Sequence, residues 1–407
     1  MEKWPKLQPN APGELLQTNG SEWLPEQAAL PITYEGAAYL PTPLPANIDL
    51  RGLIADTWED HQAAVAGLAA VDQLSRTLPN PHLLANPFRL REAQASSRIE
   101  NTVASAEEIA LAEADQPTPA DAKEISNYVR ALDHGLSSEQ PLGQSLLKAM
   151  HARLLEGGVR GAEKSPGAYR KSQAYIGSES RGFEGARFVP PPAEHVQQCM
   201  DDLERFIRNA NPGVPPIIGA ALTHYQFETI HPFADGNGRV GRMLIMLQLC
   251  WSGLVSQPNF EISSFFDTHR DAYVDLMLAV SLEGSWLDWV RFFCRAVAHQ
   301  AHEASRRAGS LLELRRHYLD LVTEKRTSSL LRELVDWLFT KPAVTNPEVA
   351  DRLGIRQQAS QRHVDRLLEL EILTEVTGQS RNRVYVCRGL LEAIGSDSPG
   401  DSGSTPA

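Results

Sequence analysis

A histidine, a carboxylate, two arginines and a pair of glycines lie within twelve residues, His231-Pro232-Phe233-Ala234-Asp235-Gly236-Asn237-Gly238-Arg239-Val240-Gly241-Arg242. Gly236 and Gly238 flank Asn237 just before the apolar-periodic run Met243, Leu244, Met246, Leu247. Small residues there let a loop turn sharply into a helix whose first N–H groups stay unpaired at the positive end of the dipole. Such a helix start binds phosphate. Arg239 and Arg242, three apart, project from one helix face toward the same space, where guanidinium groups would grip further phosphate oxygens. Asp235, beside this nest, offers a carboxylate to a Mg²⁺ that bridges phosphates. His231 brings a near-neutral imidazole able to take a proton from an incoming hydroxyl. The set describes nucleotidyl or phosphoryl transfer to an alcohol.

Alone, a GNG turn or a histidine before proline is usually structural. The whole window, however, matches H-P-F-x-[DE]-G-N-G-R-x-x-R at every specified position, and so resembles the signature of the Fic family. The resemblance implies a protein adenylyltransferase that uses ATP and Mg²⁺ to place AMP on a Ser, Thr or Tyr hydroxyl of a target protein, with pyrophosphate leaving. It assigns His231 as general base, Asp235 as Mg²⁺ ligand and the Gly236-Asn237-Gly238 backbone as anion hole. Arg239 and Arg242 become clamps on the β- and γ-phosphates, and Pro232 and Phe233 shape the loop.

The likeness extends to either side. Gly167-Ala168-Tyr169-Arg170 and the runs Ala174-Tyr175-Ile176-Gly177 and Ala186-Arg187-Phe188-Val189-Pro190-Pro191 look like the family's flap, a hairpin that holds a target segment by strand addition. Ile176, Gly177, Phe188 and Val189 are its candidate target-binding residues. Thr268-His269-Arg270-Asp271-Ala272-Tyr273 resembles the stretch beside the adenine, with His269 where Asn is frequent. Tyr273 is the ATP-side candidate there, and a core position would suit the same phenol equally well.

Glu92 to Asn101 reads as the last turns of a helix, and Ser96 to Asn101 resembles the family's inhibitory motif in its N-terminal class. That resemblance implies a brake in which Glu100, presented with Ser96, pairs with Arg242 and misplaces ATP. Self-modification and removal of AMP from the target are activities the same resemblance brings.

The elements that must position these residues are mainly helical. The sequence divides into an extended N-terminal arm with little regular structure (1–47), an N-terminal helical region carrying the brake (48–140), a helical Fic core with a short β-hairpin flap plus a linker helix (141–325), a C-terminal winged helix-turn-helix (326–394), and a disordered tail (395–407). The hairpin is expected over Gln173–Ile176 and Ala186–Val189. In the C-terminal module Asn346 is the expected N-cap with Pro347 at the first helical position. Gln358–Leu370 is then the second helix, and Ile372–Val376 with Val384–Val386 forms the wing.

Bulk properties narrow the partners. A formal charge of −12 over 407 residues argues against a protein that coats nucleic acid, leaving room for one local basic patch. Arg356, Gln357, Gln361, Arg362 and Arg366, with Arg381 and Arg383 at the wing tip, are faced by Glu348, Asp351, Asp365, Glu369, Glu371 and Glu375. Protein contact or homodimerisation is therefore favoured over DNA binding for this module. The alternative for the whole chain is a DNA-binding regulator in which the Fic core senses nucleotide. The four separated cysteines suggest reduced thiols. No segment reads as a signal peptide or membrane span, so a cytoplasmic protein is expected.

Overall fold

The computed structural model describes residues 6–22, 32–45, 48–76, 78, 80–114, 116–177, 185–209, 213–323, 329–379 and 382–395. The fold is mainly helical, as the sequence predicts, with three small antiparallel sheets among the described residues. The chain forms two compact units: residues 1–66, 130–254 and 262–299 make the first, and residues 67–129, 255–261 and 300–407 the second. The expected tail and the wing-tip Arg381 lie outside the described residues, apart from Gly395, which ends a helix.

Helices α1 (Leu50–Asp56), α2 (Trp58–Arg76), α3 (His82–Ile99), α4 (Ala106–Glu113), α5 (Ala120–Ser137) and α6 (Gln144–Leu154) occupy the stretch read as helical. The first unit also contains α7 (Ala193–Arg208), α8 (Pro216–Ile230), α9 (Asn237–Trp251), α10 (Ser263–Thr268), α11 (Arg270–Glu283) and the start of α12 (Trp286–Thr323). α8 and α9 form its centre. α8 buries Ile217, Ile218, Leu222, Tyr225 and Phe227, and α9 buries Val240, Met243, Leu244, Ile245 and Leu247. Helices apolar on nearly every face belong inside. They pack on each other so closely that a Cβ on Gly241 would collide with Glu228 Oε1 and stand 3.1 Å from Phe227 Cδ1. α7 is amphipathic and buries Val196, Cys199, Met200, Leu203 and Phe206 along one stripe, which packs on α8.

The N-terminal arm differs from expectation. It contains strands β1 (Gly13–Glu22) and β2 (Ile32–Pro41), paired antiparallel with Leu15 opposite Tyr39. Proline density suggested an irregular arm, but the prolines stand at the margins of the pairing, where a missing N–H costs little. The anchor is Tyr39, fully buried, whose N–H donates to Val189 O at 2.9 Å and whose ring lies 5.6 Å from that of Phe188. The hairpin thereby braces the flap. The flap strands β3 (Ile176–Gly177) and β4 (Ala186–Phe188) are shorter than predicted, with Ile176 opposite Phe188 and an irregular register after it.

In the second unit the winged helix comprises α13 (Ser329–Thr340), β5 (Ala343–Thr345), α14 (Asn346–Leu353), α15 (Gln357–Glu369), β6 (Thr374–Glu375), β7 (Val384–Val386) and α16 (Arg388–Gly395), with sheet order β5-β7-β6. The N-cap is Thr345, not Asn346: Thr345 and Glu348 form a reciprocal capping box. Asn346 instead accepts a 2.6 Å hydrogen bond from Ser360 and reaches Gln357 O, tying α14 to α15. The module is not a free-standing domain. α13 packs on α3, and α16 packs on α3 and α4, because Leu331, Leu334, Val335 and Leu338 carry an apolar stripe that needs a partner.

Candidate active site

The six residues 231–236 join α8 to α9. His231 terminates α8 in the left-handed region, φ 50° and ψ 61°, with its N–H on Phe227 O at 3.0 Å. A residue with a Cβ pays about 1–2 kcal/mol for that conformation, so something must hold it. Arg170 does: its Nε donates to His231 O at 2.8 Å, its NH1 to Ser172 O at 2.9 Å, and its NH2 to Pro191 O and Ile230 O. Arg170 is buried. The turn is closed from within by Asn237, whose amide accepts from Phe233 N–H and donates to Phe233 O, both at 2.8 Å. Gly236 precedes α9 with φ 75°, a conformation glycine adopts freely, and makes no side-chain cap. The N-cap position therefore brings no side chain of its own to the helix start, a place that suits an anion.

Beneath the loop lies His151 of α6, fully buried. Its Nδ1 accepts from Gly167 N–H at 2.8 Å, and its Nε2 meets Asp235 O at 3.0 Å. Its ring stacks on Phe233, centroids 3.9 Å apart and planes 8° from parallel. Burial drives its pKa down to about 4, the Arg239 charge adding to this and the Asp235 carbonyl opposing it. The imidazole is neutral at physiological pH.

Asp235 is half-buried. Burial raises its carboxyl, but the Lys164 hydrogen bond and charge, the Arg239 charge and the Gly236 N–H together outweigh this and hold it below the usual carboxylate range. Lys164 Nζ lies 3.1 Å from one carboxylate oxygen and Arg239 NH2 3.3 Å from the other. An ionised, partly exposed carboxylate beside a glycine-led helix start fits a hard divalent cation shared with phosphate. Among the described residues no group of three or more His, Cys, Asp or Glu stands together, so most of such an ion's shell would come from phosphate oxygens and water. Arg239 and Arg242 rise from the first two turns of α9 with little exposure.

Residues 141–249, which contain this whole arrangement, match the Fic/DOC family, and residues 58–137 match the Fic/DOC family N-terminal region. The chain therefore carries a Fic domain preceded by the N-terminal region of Fic/DOC proteins. It is 34% identical over 107 residues to a probable protein adenylyltransferase of Aquifex aeolicus, covering 26% of this chain and 31% of that protein. It is 33% identical over 129 residues to the protein adenylyltransferase Fic of Drosophila melanogaster, covering 31% and 23%. The chain thus spans less than a third of either relative. A Fic family protein from Desulfovibrio desulfuricans G20 shares the fold at a TM-score of 0.50 and 23% identity, over 85% of this chain and 97% of that one.

Within this Fic domain the structure brings together His231, Asp235, Gly236, Asn237, Gly238, Arg239 and Arg242, all on one loop and the first turns of α9. The flap residues Ile176, Gly177, Phe188 and Val189 sit in or directly after β3 and β4; Gly177 is exposed, and Phe188 and Val189 are buried. Tyr273 is buried too, its hydroxyl 2.7 Å from His224 Nε2 and its ring stacked on Phe266, which is the core placement. His224 is fully enclosed; burial lowers its pKa to about 3, the Arg242 charge contributing and a backbone bond at Gly241 opposing. Ser96 and Glu100 belong to the second unit. There Ser96 is buried in α3, and Glu100 is the C-cap, followed by Asn101 at φ 61°.

Sequence reasoning missed His151 and Lys164, and placed Arg170 only in the flap. His151 sits on the apolar stripe of α6 with Leu147, Met150 and Leu154, where a histidine gives no signal of polar work. Lys164 lies in a glycine-rich loop with no periodicity to read.

Proposed function

We propose that the chain is a protein adenylyltransferase that uses Mg-ATP to modify a hydroxyl side chain of another protein, and that it also modifies itself. The observation that carries this reading is the joint placement of His231, Asp235 and the glycine-led start of α9 on one braced loop. A target oxygen attacks the α-phosphorus, a new O–P bond forms, the bond to the β-phosphate oxygen breaks, and pyrophosphate leaves. His231 takes the hydroxyl proton. The backbone of residues 236–238 forms the hole for phosphate oxygens, and Arg239 and Arg242 neutralise the leaving group. Asp235 would hold Mg²⁺, which supplies charge neutralisation across the phosphates. The flap presents main-chain groups to an extended target segment, so target recognition is loose in sequence.

Glu100 is proposed as a brake acting through Arg242, and, in the reverse direction, as a group that supports removal of AMP. The test is incorporation of labelled AMP by wild type, His231→Ala, Glu100→Gly and Arg242→Ala side by side. Glu100→Gly should exceed wild type, and His231→Ala should fall by about 10²–10⁴-fold while still binding ATP. Equal incorporation by wild type and Glu100→Gly would remove the brake, and undiminished labelling by His231→Ala would remove the base.

The winged helix carries a second reading, that of a DNA-binding regulator sensing nucleotide through the same loop. What favours it is that some of the acidic residues offsetting its arginines are engaged elsewhere: Glu348 by Thr345 and Lys341, and Glu375 by its own turn at Thr377 and Gly378. Arg356, Gln357, Gln358 and Arg362 stay exposed at the head of α15. Filter binding of genomic fragments decides: retention that falls steeply with salt supports this reading, and none leaves the module to protein contact or homodimerisation.

A further inference from the structure

We propose that His151 is the positioning residue of the phosphate-handling loop, setting the peptide plane between Asp235 and Gly236 and through it the carboxylate and the anion nest. This rests on the adenylyltransferase reading above. The chemistry of its partners fixes its form. A backbone N–H only donates, so Nδ1, 2.8 Å from Gly167 N, must accept. A backbone carbonyl only accepts, so Nε2, 3.0 Å from Asp235 O, must carry the proton. Only the neutral ring protonated at Nε2 satisfies both.

The consequence follows from peptide planarity. Asp235 C=O and Gly236 N–H belong to one rigid trans unit and point in opposite directions. A donor that holds the carbonyl from beneath therefore turns the Gly236 N–H to the opposite side, where it reaches the Asp235 carboxylate. Two further contacts keep the ring where it acts: the parallel stack on Phe233, and Gly236 itself, on which a Cβ would stand 3.6 Å from His151 Cδ2 and 3.2 Å from Leu154 Cδ2. Phe233, Asp235 and Gly236 thus all rest on one imidazole. Its other nitrogen is tied to Gly167, three residues before Arg170, the side chain that holds His231. The base and the metal-side carboxylate are registered to each other through this ring.

A side chain that merely fills the core would be replaced without loss by one of equal shape, whereas a positioning donor is replaced only by another donor. Three variants separate these roles. His151→Phe keeps the stack and loses both bonds. His151→Asn keeps an acceptor near the Nδ1 position for Gly167 but falls short of Asp235, while His151→Gln carries an amide donor to the Nε2 position. The readout is the Mg²⁺ concentration that half-saturates binding of a fluorescent ATP analogue, alongside the melting temperature and the kcat and KM of AMP transfer.

Loss of a supporting bond of this kind costs about 10–100-fold in metal affinity or activity. His151→Phe and His151→Asn should therefore raise the half-saturating Mg²⁺ by about tenfold or more and lower kcat, with the KM for the target little changed. His151→Gln should recover most of both. If Gln and Asn are equally impaired, or if Asn matches wild type in Mg²⁺ requirement, the positioning role is overturned. A wild-type chain that binds the analogue with no Mg²⁺ dependence would overturn the adenylyltransferase reading, and this inference with it. Wild-type Mg²⁺ dependence unaltered by all three variants would overturn the inference alone.

Discussion

Arg170→Met tests the link between the fold and the candidate base. The substitution keeps the unbranched stem and deletes the guanidinium that serves four carbonyls, those of His231, Ser172, Pro191 and Ile230. Arg170 is buried, and burial lowers its pKa to about 10, so it is charged at physiological pH and its bonds are charge-assisted. Each buried carbonyl left without a donor costs about 1–3 kcal/mol. The four do not add fully, because Ser172 is exposed and recovers water, and because the flanking backbone relaxes. With the three less exposed carbonyls partly relaxing, the summed loss is about 3–5 kcal/mol. For a cooperative unit of the size of the first one, that is a fall of about 10 °C in melting temperature. Calorimetry resolves the two units, whose transitions need not coincide, and amide exchange at residues 229–233 reports the loop directly. His231 is expected to leave the left-handed region, and a displacement of about 1 Å lowers transfer on the order of 10²-fold. A fall of less than 2 °C with unchanged exchange at the loop would refute the idea that Arg170 holds His231 in place.

Three further outcomes follow from individual contacts. His224 has its pKa lowered to about 3 against an ordinary 6.5, so unfolding takes up a proton between these values. Stability should be level above about pH 6.5 and decline below it by up to about 1.4 kcal/mol per pH unit; His224→Phe should flatten that limb in urea titrations at pH 7 and 5, and an unaltered limb would contradict it. Lys164→Met removes the ammonium that a metal must displace from Asp235; since the Lys164 side chain is half-exposed the pair is worth at most about 1 kcal/mol, and the Mg²⁺ requirement for nucleotide binding should fall by up to about fivefold. Tyr39→Ala opens the bracing of the flap and costs about 3–5 kcal/mol; flap proteolysis should quicken and transfer to a target decline while ATP binding persists, and equal proteolysis rates would show that the hairpin leaves the flap unbraced.

What was legible in the sequence was what is contiguous. Seven of the candidate residues lie between 231 and 242, where turn-forming glycines, a polar cluster and the onset of an apolar run declare loop, helix start and chemistry together. The supports of that loop were not legible, because His151, Lys164 and Arg170 reach it from 61 to 84 residues away and each is locally ordinary. The N-terminal hairpin was hidden for a different reason: prolines at its margins mask the pairing of Leu15 with Tyr39. The three-residue β5 carries too little pattern to be seen before β7 supplies its partner. In the winged helix α13, α14, α15 and the wing hairpin were read while β5 and α16 were not, and the cap was displaced by one residue, since Thr345 and Asn346 are both good caps and only the tertiary need for Asn346 at Ser360 decides between them.

The close crossing at Gly241 bears on how this chain tolerates change in length. With α8 and α9 pressed together at that point, the end of one helix and the start of the other are separated by a chord that the core dictates, and residues 231–236 must span it. An inserted or deleted residue has no slack to enter, because the helices cannot slide apart without parting Phe227 and Glu228 from the glycine. Drift in this stretch is therefore confined to exchange of side chains at constant count. The unbroken spacing that made the twelve-residue window readable is the imprint of two helices in contact.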